Sequence, residues 1–338
     1  MAQFSARFSA RFLARFSLAA TALTAVLAAI AVAPAAANDA FPTKPVRIIM
    51  PIPVGTALDV ITRLVGEQLA VRWGQQVIVE NRPGAGGALA AQAVAGAQPD
   101  GYTLLGGASS IWTILPAQKE KLPFDVNRAF VQIGMINGDT PMYLAVSPKL
   151  GVSTFAEFAA LARSRPGQIT IGTNGAGTLP HFAGLALAKM ANIPVTIIPY
   201  AQGGTVAAVA DIMGGRVHAT IEAFSGLRGQ LQSGDLKLIG VMSPDRDPDF
   251  PDVSVVAATV PGYSAVGFMS VAAPAGTPAS IVRRINQDLR DALETPSVKQ
   301  RLKEFGVRAK IVTPAEATAY VEREQKLWWP LVKELDSK

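Results

Sequence analysis

The sequence predicts an α/β protein built as two lobes with a ligand cleft between them. Short apolar strands alternate with helical patterns from residue 46 onward, and the alternation starts afresh in the middle of the chain. About 300 residues remain after an N-terminal leader, more than a single hydrophobic core ordinarily organises.

In the first unit, Val46-Arg47-Ile48-Ile49-Met50 reads as a buried strand. A Pro/Gly loop follows, and then Leu58, Ile61, Leu64, Val65 and Leu69 recur at helical spacing. Val77-Ile78-Val79 is a second strand, Ala88 to Ala95 a helix by composition, and Tyr102-Thr103-Leu104-Leu105 a third strand. Strand–helix–strand order of this kind implies a parallel sheet covered by helices.

In the second unit, Thr154-Phe155-Ala156-Glu157 is a capping box, its hydroxyl and carboxylate satisfying free N–H groups at a helix start. Ile169-Thr170-Ile171, Thr196-Ile197-Ile198, Ala219-Thr220-Ile221 and Leu238-Ile239-Gly240-Val241 are candidate strands with helices between them. Val266 to Ala273 is another strand. Three helices then follow, each opened by a Thr-Pro pair at Thr277-Pro278, Thr295-Pro296 and Thr313-Pro314, with Thr as N-cap and Pro at the first helical position. No short repeat, low-complexity tract or long linker intervenes.

The first 37 residues have the pattern of a secretory signal peptide. Arg7, Arg11 and Arg15 form a positive start, an apolar run extends from Phe16 to about Ala33, and Ala35-Ala36-Ala37 offers the small residues of a cleavage site before Asn38. An uncleaved anchor is the other reading of the same run, and the small residues favour cleavage. Cleavage removes three arginines and no acid, lowering the formal net charge from +6 to +3. No later run is long and apolar enough to span a bilayer, so the mature chain is expected to be soluble. No Lys/Arg block with interleaved aromatics supports nucleic-acid binding.

Most enzyme classes lack their residues here. The chain has no cysteine and two histidines, His181 and His218, neither in a zinc-binding arrangement, so no metal is expected. There is no Gly-x-Ser-x-Gly elbow and no P-loop. Gly84-Ala85-Gly86-Gly87 and Gly175-Ala176-Gly177 lack the third glycine of a dinucleotide fingerprint, and no cofactor is expected. No catalytic residue is assigned.

Two loops are instead suited to an anion. The first, Pro51 to Asp59, joins the first strand to the first helix, with Thr56 as cap and Asp59 as its reciprocal partner. Its N–H groups, with the helix dipole behind them, favour a carboxylate, although an ordinary structural cap has the same pattern. The second, Gly172-Thr173-Asn174-Gly175-Ala176-Gly177-Thr178-Leu179-Pro180-His181, lets backbone approach a ligand closely while hydroxyls and N–H groups donate. Facing each other, such loops hold an acid without a buried lysine or arginine, whose desolvation is costly.

Several ordered motifs carry a family resemblance. Val79-Glu80-Asn81-Arg82-Pro83-Gly84-Ala85-Gly86-Gly87 is followed by Pro99-Asp100-Gly101-Tyr102-Thr103-Leu104-Leu105, Pro199-Tyr200, Gly214-Gly215-Arg216-Val217 and Ala273-Pro274-Ala275-Gly276-Thr277-Pro278. In that order, from Phe41 to the last helix, they resemble the Bug proteins, extracytoplasmic solute receptors of tripartite tricarboxylate transporters. The resemblance implies a type II periplasmic-binding-protein fold with two crossovers. On that plan residues 38–142 with 264–338 form one lobe and residues 143–263 the other. It also implies a monomer in the periplasm that captures a small carboxylate ligand and presents it to inner-membrane permease subunits. A receptor feeding a membrane signalling protein and, from another class, a hydrolase using cleft hydroxyls are the rival readings.

Carried over by position, the resemblance implies ligand contacts at Pro53, Val54, Gly55, Thr56 and Asp59, at Ser109 and Ser110 in the loop after the third strand, and at Thr173, Gly177, Thr178, His181 and Tyr200. Glu222 stands where the family commonly has an acid. It either accepts from a ligand ammonium or hydroxyl or caps nearby N–H groups; facing a second carboxylate at 4 Å it would meet a repulsion of roughly 4 kcal/mol at an effective dielectric near 20. Trp112 either stacks on a planar acid or packs in the core, and His181 either donates to a carboxylate or caps its own helix. Arg82 reads as structural. Ile52, Val54 and Thr56 depart from the usual Pro-Phe-Pro-Pro-Gly-Gly loop, and the stretch between Tyr200 and Asp211 is about two residues longer than typical.

Overall fold

Val46–Met50 (β1) forms as an apolar strand with only Arg47 partly exposed, as expected of a strand with helices on both faces. It pairs in parallel with Val77–Asn81 (β2) and with Thr103–Ala108 (β3). The helix Ala57–Trp73 (α1) connects β1 to β2, turning Ile61, Val65 and Leu69 inward and ending at Gly74, whose φ of 62° suits glycine. Ala88–Ala95 (α2) connects β2 to β3. The computed structural model describes residues 41–120 and 122–337, so the signal-peptide expectation lies outside the described residues.

After β3 come two short helices, Ser109–Thr113 (α3) and Val126–Ala129 (α4). Ser109 and Ser110, expected in a loop, are therefore the first residues of a helix. Phe130–Val146 (β4) then runs for 17 residues. Its first part pairs antiparallel with Val266–Pro274 (β9), and its last five residues pair with Ala219–Ala223 (β7) on one side, the last four of them also with Lys237–Val241 (β8) on the other. The pairing with β9 shifts register three times between Gln132 and Thr140, so the strand bends as it changes partners.

The second unit continues with Phe155–Ser164 (α5), Ile169–Thr173 (β5), Leu179–Met190 (α6), Val195–Pro199 (β6), Gly204–Met213 (α7) and Phe224–Ser233 (α8). After β9 come Ala279–Leu293 (α9), Pro296–Glu304 (α10) and Pro314–Leu335 (α11). Among the described residues the strand order is β2-β1-β3-β9-β4-β7-β5-β6, with β8 also on β4. The β1/β3 and β5/β7 halves each have their own core. Ile49, Leu105, Trp112 and Phe130 anchor one; Phe158, Ile171, Phe182 and Ile221 anchor the other. Helix α11 packs Tyr320 and Val321 on the first core and Trp328 and Val332 on the second.

The helix starts adjust the sequence reading. Thr313 makes the full box with Glu316, and Pro314 is at the first helical position. Thr154 accepts from the Glu157 N–H, but the Glu157 carboxylate reaches back to the Ser153 N–H at 2.6 Å instead of to Thr154. Thr295 precedes Pro296 as expected, yet its hydroxyl donates to the Ala292 carbonyl of the preceding helix. Pro278 is itself the residue before α9, because Thr277 is drawn back by a bond to the Pro274 carbonyl.

Candidate ligand-binding site

The first loop stands open at its surface and is braced from below. Pro53, Val54, Gly55 and Thr56 are exposed. Gly55 has φ 84°, a conformation that favours glycine. The expected Thr56–Asp59 box is not made: the Thr56 hydroxyl donates to the Pro53 carbonyl, and Asp59 accepts from the Gly55 N–H at 2.8 Å. Asp59 is 1% exposed and also accepts from Asn81 Nδ2 at 2.8 Å and Arg63 Nε at 3.2 Å. Burial works to raise its pKa, but the bonds from Gly55, Asn81 and Arg63 prevail and hold it below the ordinary value. Asp59 is thus a brace under the loop, away from its open side. Asn81 donates to the Ile52 carbonyl as well, which gives the asparagine of the signature run its task.

The rest of that run is a turn of left-handed backbone. Gly84, Ala85, Gly86 and Gly87 all have positive φ. A Cβ on Gly87 would lie 2.8 Å from Ile111 Cγ1, and one on Gly86 would lie 2.7 Å from the Gly177 carbonyl oxygen. The Gly86 carbonyl accepts from the Ser110 hydroxyl at 2.7 Å. Ser110 therefore holds the turn that meets the second loop. Arg82 pairs with Glu80, a structural role. Trp112, weighed as a stacking residue, is a core side chain: it is 1% exposed, packs edge-on against Phe130, and donates its indole N–H to the Gly107 carbonyl.

The second loop is more enclosed and keeps unpaired polar atoms. It opens from β5 at Thr173, which is fully buried with no partner for its hydroxyl. Asn174 donates Nδ2 to Glu222 at 3.1 Å and leaves Oδ1 buried and unpaired. Gly175 and Gly177 have positive φ, and Thr178 caps α6. Its hydroxyl accepts from the His181 N–H and spends its one proton on the Gly175 carbonyl at 2.7 Å. The expected donation from Thr178 Oγ1 to a ligand is therefore not available in this conformation. His181 lies edge-on to Phe182 with Nδ1 buried and unpaired, and burial pushes its pKa down, favouring neutral imidazole.

Tyr200 and Glu222 complete this side. The Tyr200 hydroxyl donates to Asp211 at 2.5 Å, an acid also held by Arg216. Burial first, and Asp211 second, push its pKa up to about 12. Its donor is spent away from the loop, while its backbone N–H ties to the Thr173 carbonyl. Glu222 accepts from Asn174, from the hydroxyl of Thr205 and from the Ala223 N–H. Part of its surface still meets solvent, but its surroundings are crowded and burial raises its pKa against these bonds. Thr205 lay outside the sequence-based site, and Asn174 stood in its second loop with no contact of its own assigned. The unusually long stretch after Tyr200 was the one signal for Thr205.

Among the described residues no lysine or arginine hydrogen-bonds to the second loop, and no group of three or more metal-ligating side chains gathers. What the two loops and the end of β7 offer is glycine backbone, buried uncharged polar atoms and the Glu222 carboxyl group.

A model of the tripartite tricarboxylate transporter family receptor matches residues 61–336. Protein BugT of Bordetella pertussis is 31% identical over 306 residues, covering 89% of this chain and 92% of that protein. Among solved structures, R. palustris Rpa4515 with adipate superposes with a TM-score of 0.79 at 28% identity, covering 87% of this chain and 98% of the other. MatC (Rpa3494) from Rhodopseudomonas palustris with bound malate gives 0.78 at 27% identity, covering 86% and 100%.

Proposed function

The chain belongs to the tripartite tricarboxylate transporter receptor family, and on that premise we propose that it captures a small carboxylated organic acid between its two lobes, reversibly and without chemistry. The fold is the two-lobed periplasmic-binding-protein fold of its structural neighbours, one of which holds adipate and another malate. The observation that carries the reading is the second loop: Thr173 Oγ1, Asn174 Oδ1 and His181 Nδ1 are buried and unpaired in the loop whose Gly177 meets the Gly86 turn. Buried polar atoms ordinarily have partners, and a ligand with water supplies them. An acid held by neutral donors and helix N-termini needs no buried cation.

On this reading residues 1–37 direct export and are removed, the mature chain works as a monomer in the periplasm, and the closed, loaded form is handed to permease subunits. Among the described residues no helix is long and apolar enough to cross a membrane. Open contact positions on the first lobe are Pro53 to Thr56; on the second lobe they are Thr173, the Gly177 backbone, His181 and Glu222.

A thermal-shift screen against adipate, malate, other organic acids, amino acids, sugars and cations tests the reading. A ligand at one hundred times its dissociation constant stabilises by about 2.7 kcal/mol, a rise of several degrees at this size. Stabilisation by sugars or cations alone would sink the carboxylate assignment, and turnover of a hit seen by mass spectrometry would sink capture without chemistry.

A further inference from the structure

The crossing strands carry a second seam. β7 pairs with one edge of the last part of β4 and β8 with the other. β9 continues the β8 edge, where the Met142 N–H donates to the Ala265 carbonyl and the Met242 N–H to the Met142 carbonyl, whereas Ala309 bridges to Asn137 from the opposite edge. The loop after β8 and the segment after α10 meet beside β4. A cavity of about 490 Å³ lies between them, lined by Tyr143, Phe224, Phe250, Lys303, Gly306 and Arg308 among others.

Three contacts span this seam. Arg308 Nη2 donates to Asp247 at 2.6 Å and to Asp249 at 2.7 Å. Arg228 of α8 donates to the Glu304 carbonyl at the end of α10. Gly306, with φ 62°, brings its backbone so near Phe224 that a Cβ there would lie 2.7 Å from the ring. Asp247 is 4% exposed and is also held by the Tyr143 hydroxyl, so Arg308 reaches an anchored, buried carboxylate. Removing the partner of such a group is costly, and the pair to the open Asp249 adds a smaller contribution. Tyr143 pairs with Glu222 in the β4–β7 ladder, but Arg308, Asp247 and Asp249 belong to neither site loop, and capture as described leaves their clasp without a task.

We infer that Arg308 is a positioning residue: its clasp on Asp247 and Asp249 holds the segment after α10 against the loop after β8 in the arrangement in which Gly86 and Gly177 meet. The two contacts coexist in one structure, and a rotation about β4 and β9 that parts Gly86 from Gly177 also moves the elements that the clasp joins. The clasp thereby favours the enclosed form, and a receptor's apparent affinity scales with the population of its binding-competent form. The affinity consequence rests on the capture reading; the lobe arrangement does not.

The test uses the mature protein, which has no native cysteine to interfere with labelling. Spin labels at V71C on α1 and V206C on α7, both exposed, report the distance between the two halves without any ligand. Arg308→Gln should broaden or shift that distance distribution, and Arg308→Lys should return it toward the parent. Affinity for whichever of adipate and malate binds should fall roughly three- to tenfold in Arg308→Gln and recover in part in Arg308→Lys. A distribution in Arg308→Gln identical to the parent's overturns the inference, and so does a gain in affinity, because the clasp would then favour the parted form. If Arg308→Gln fails to fold, Asp249→Asn loosens the exposed half of the clasp and is read by a smaller change in the same distribution, with no change overturning the inference. If neither acid binds, the capture reading fails for these acids while the label distances still decide the clasp.

Discussion

The two site loops solve one problem in opposite ways. The first presents exposed backbone from Pro53 to Thr56 and hides its polar work underneath, where Asp59, Asn81 and Arg63 satisfy one another. The second is tucked in and leaves Thr173, Asn174 and His181 with buried polar atoms unspent. Satisfied networks hold shape, and unsatisfied ones wait for a partner. On the capture reading, the difference teaches that shape would come mainly from the first loop and hydrogen-bonding capacity mainly from the second.

The sharpest way to break that comparison is Asp59→Ala. It strands the Gly55 N–H and leaves Asn81 and Arg63 without their shared acceptor, and it should cost about 2–3 kcal/mol after discounting for the partly open Arg63. Thermal unfolding should show a midpoint lower by about 3–5 °C. Because the folded pKa of Asp59 is depressed, its contribution is present above the unfolded carboxylate value and lost as pH falls through the folded one. The parent and variant midpoints should therefore converge in acid. Equal midpoints at neutral pH would show that the first loop does not depend on its brace.

Thr178→Val probes the other loop with a smaller expected effect. It removes the cap on His181 and the bond to Gly175, which should cost about 1 kcal/mol of stability. If the second loop supplies the hydrogen-bonding atoms, affinity for a carboxylate hit from the screen should fall by at least as much, because the Gly175–Gly177 backbone loses its support. Titration calorimetry showing undiminished affinity in a destabilised variant would move the ligand away from this loop.

Much of this was legible along the chain, for local reasons. β1, β5 and β9 are buried on both sides and so appear as apolar runs. Gly84 to Gly87 and Gly175 to Gly177 are glycine-rich because the backbone there is left-handed or closely approached. β4 was not legible. Gly138-Asp139-Thr140-Pro141 in its middle has the composition of a turn, Asp139 does adopt φ 49°, and the strand changes partners at that point. Nor were the bonds of Glu222 to Thr205 and Asn174, which join residues 17 and 48 apart, or Arg308 to Asp247, 61 apart. Trp112 shows the converse: a tryptophan beside a binding loop invites a ligand role, but the C-terminal helix needs it in the core, where its carbonyl accepts from Trp329.

The smallest expected effect is also the most selective for the second loop. His181 is pressed toward its neutral form by burial, so its folded pKa lies below the unfolded value of 6.5. A depressed pKa contributes stability above the unfolded value, and that contribution is lost as pH falls toward and through the folded one. For one proton the slope is at most about 1.4 kcal/mol per pH unit. Replacing His181 with Asn removes this dependence but leaves His218, whose pKa is lowered mainly by burial and then by Arg165, to act equally in both proteins. The difference between parent and His181→Asn midpoints should therefore drift in the variant's favour between pH 7 and pH 5. A bound carboxylate reaching Nδ1 would stabilise the imidazolium and flatten that drift, whereas a drift unaltered by saturating ligand would leave Nδ1 outside the set of atoms the solute uses.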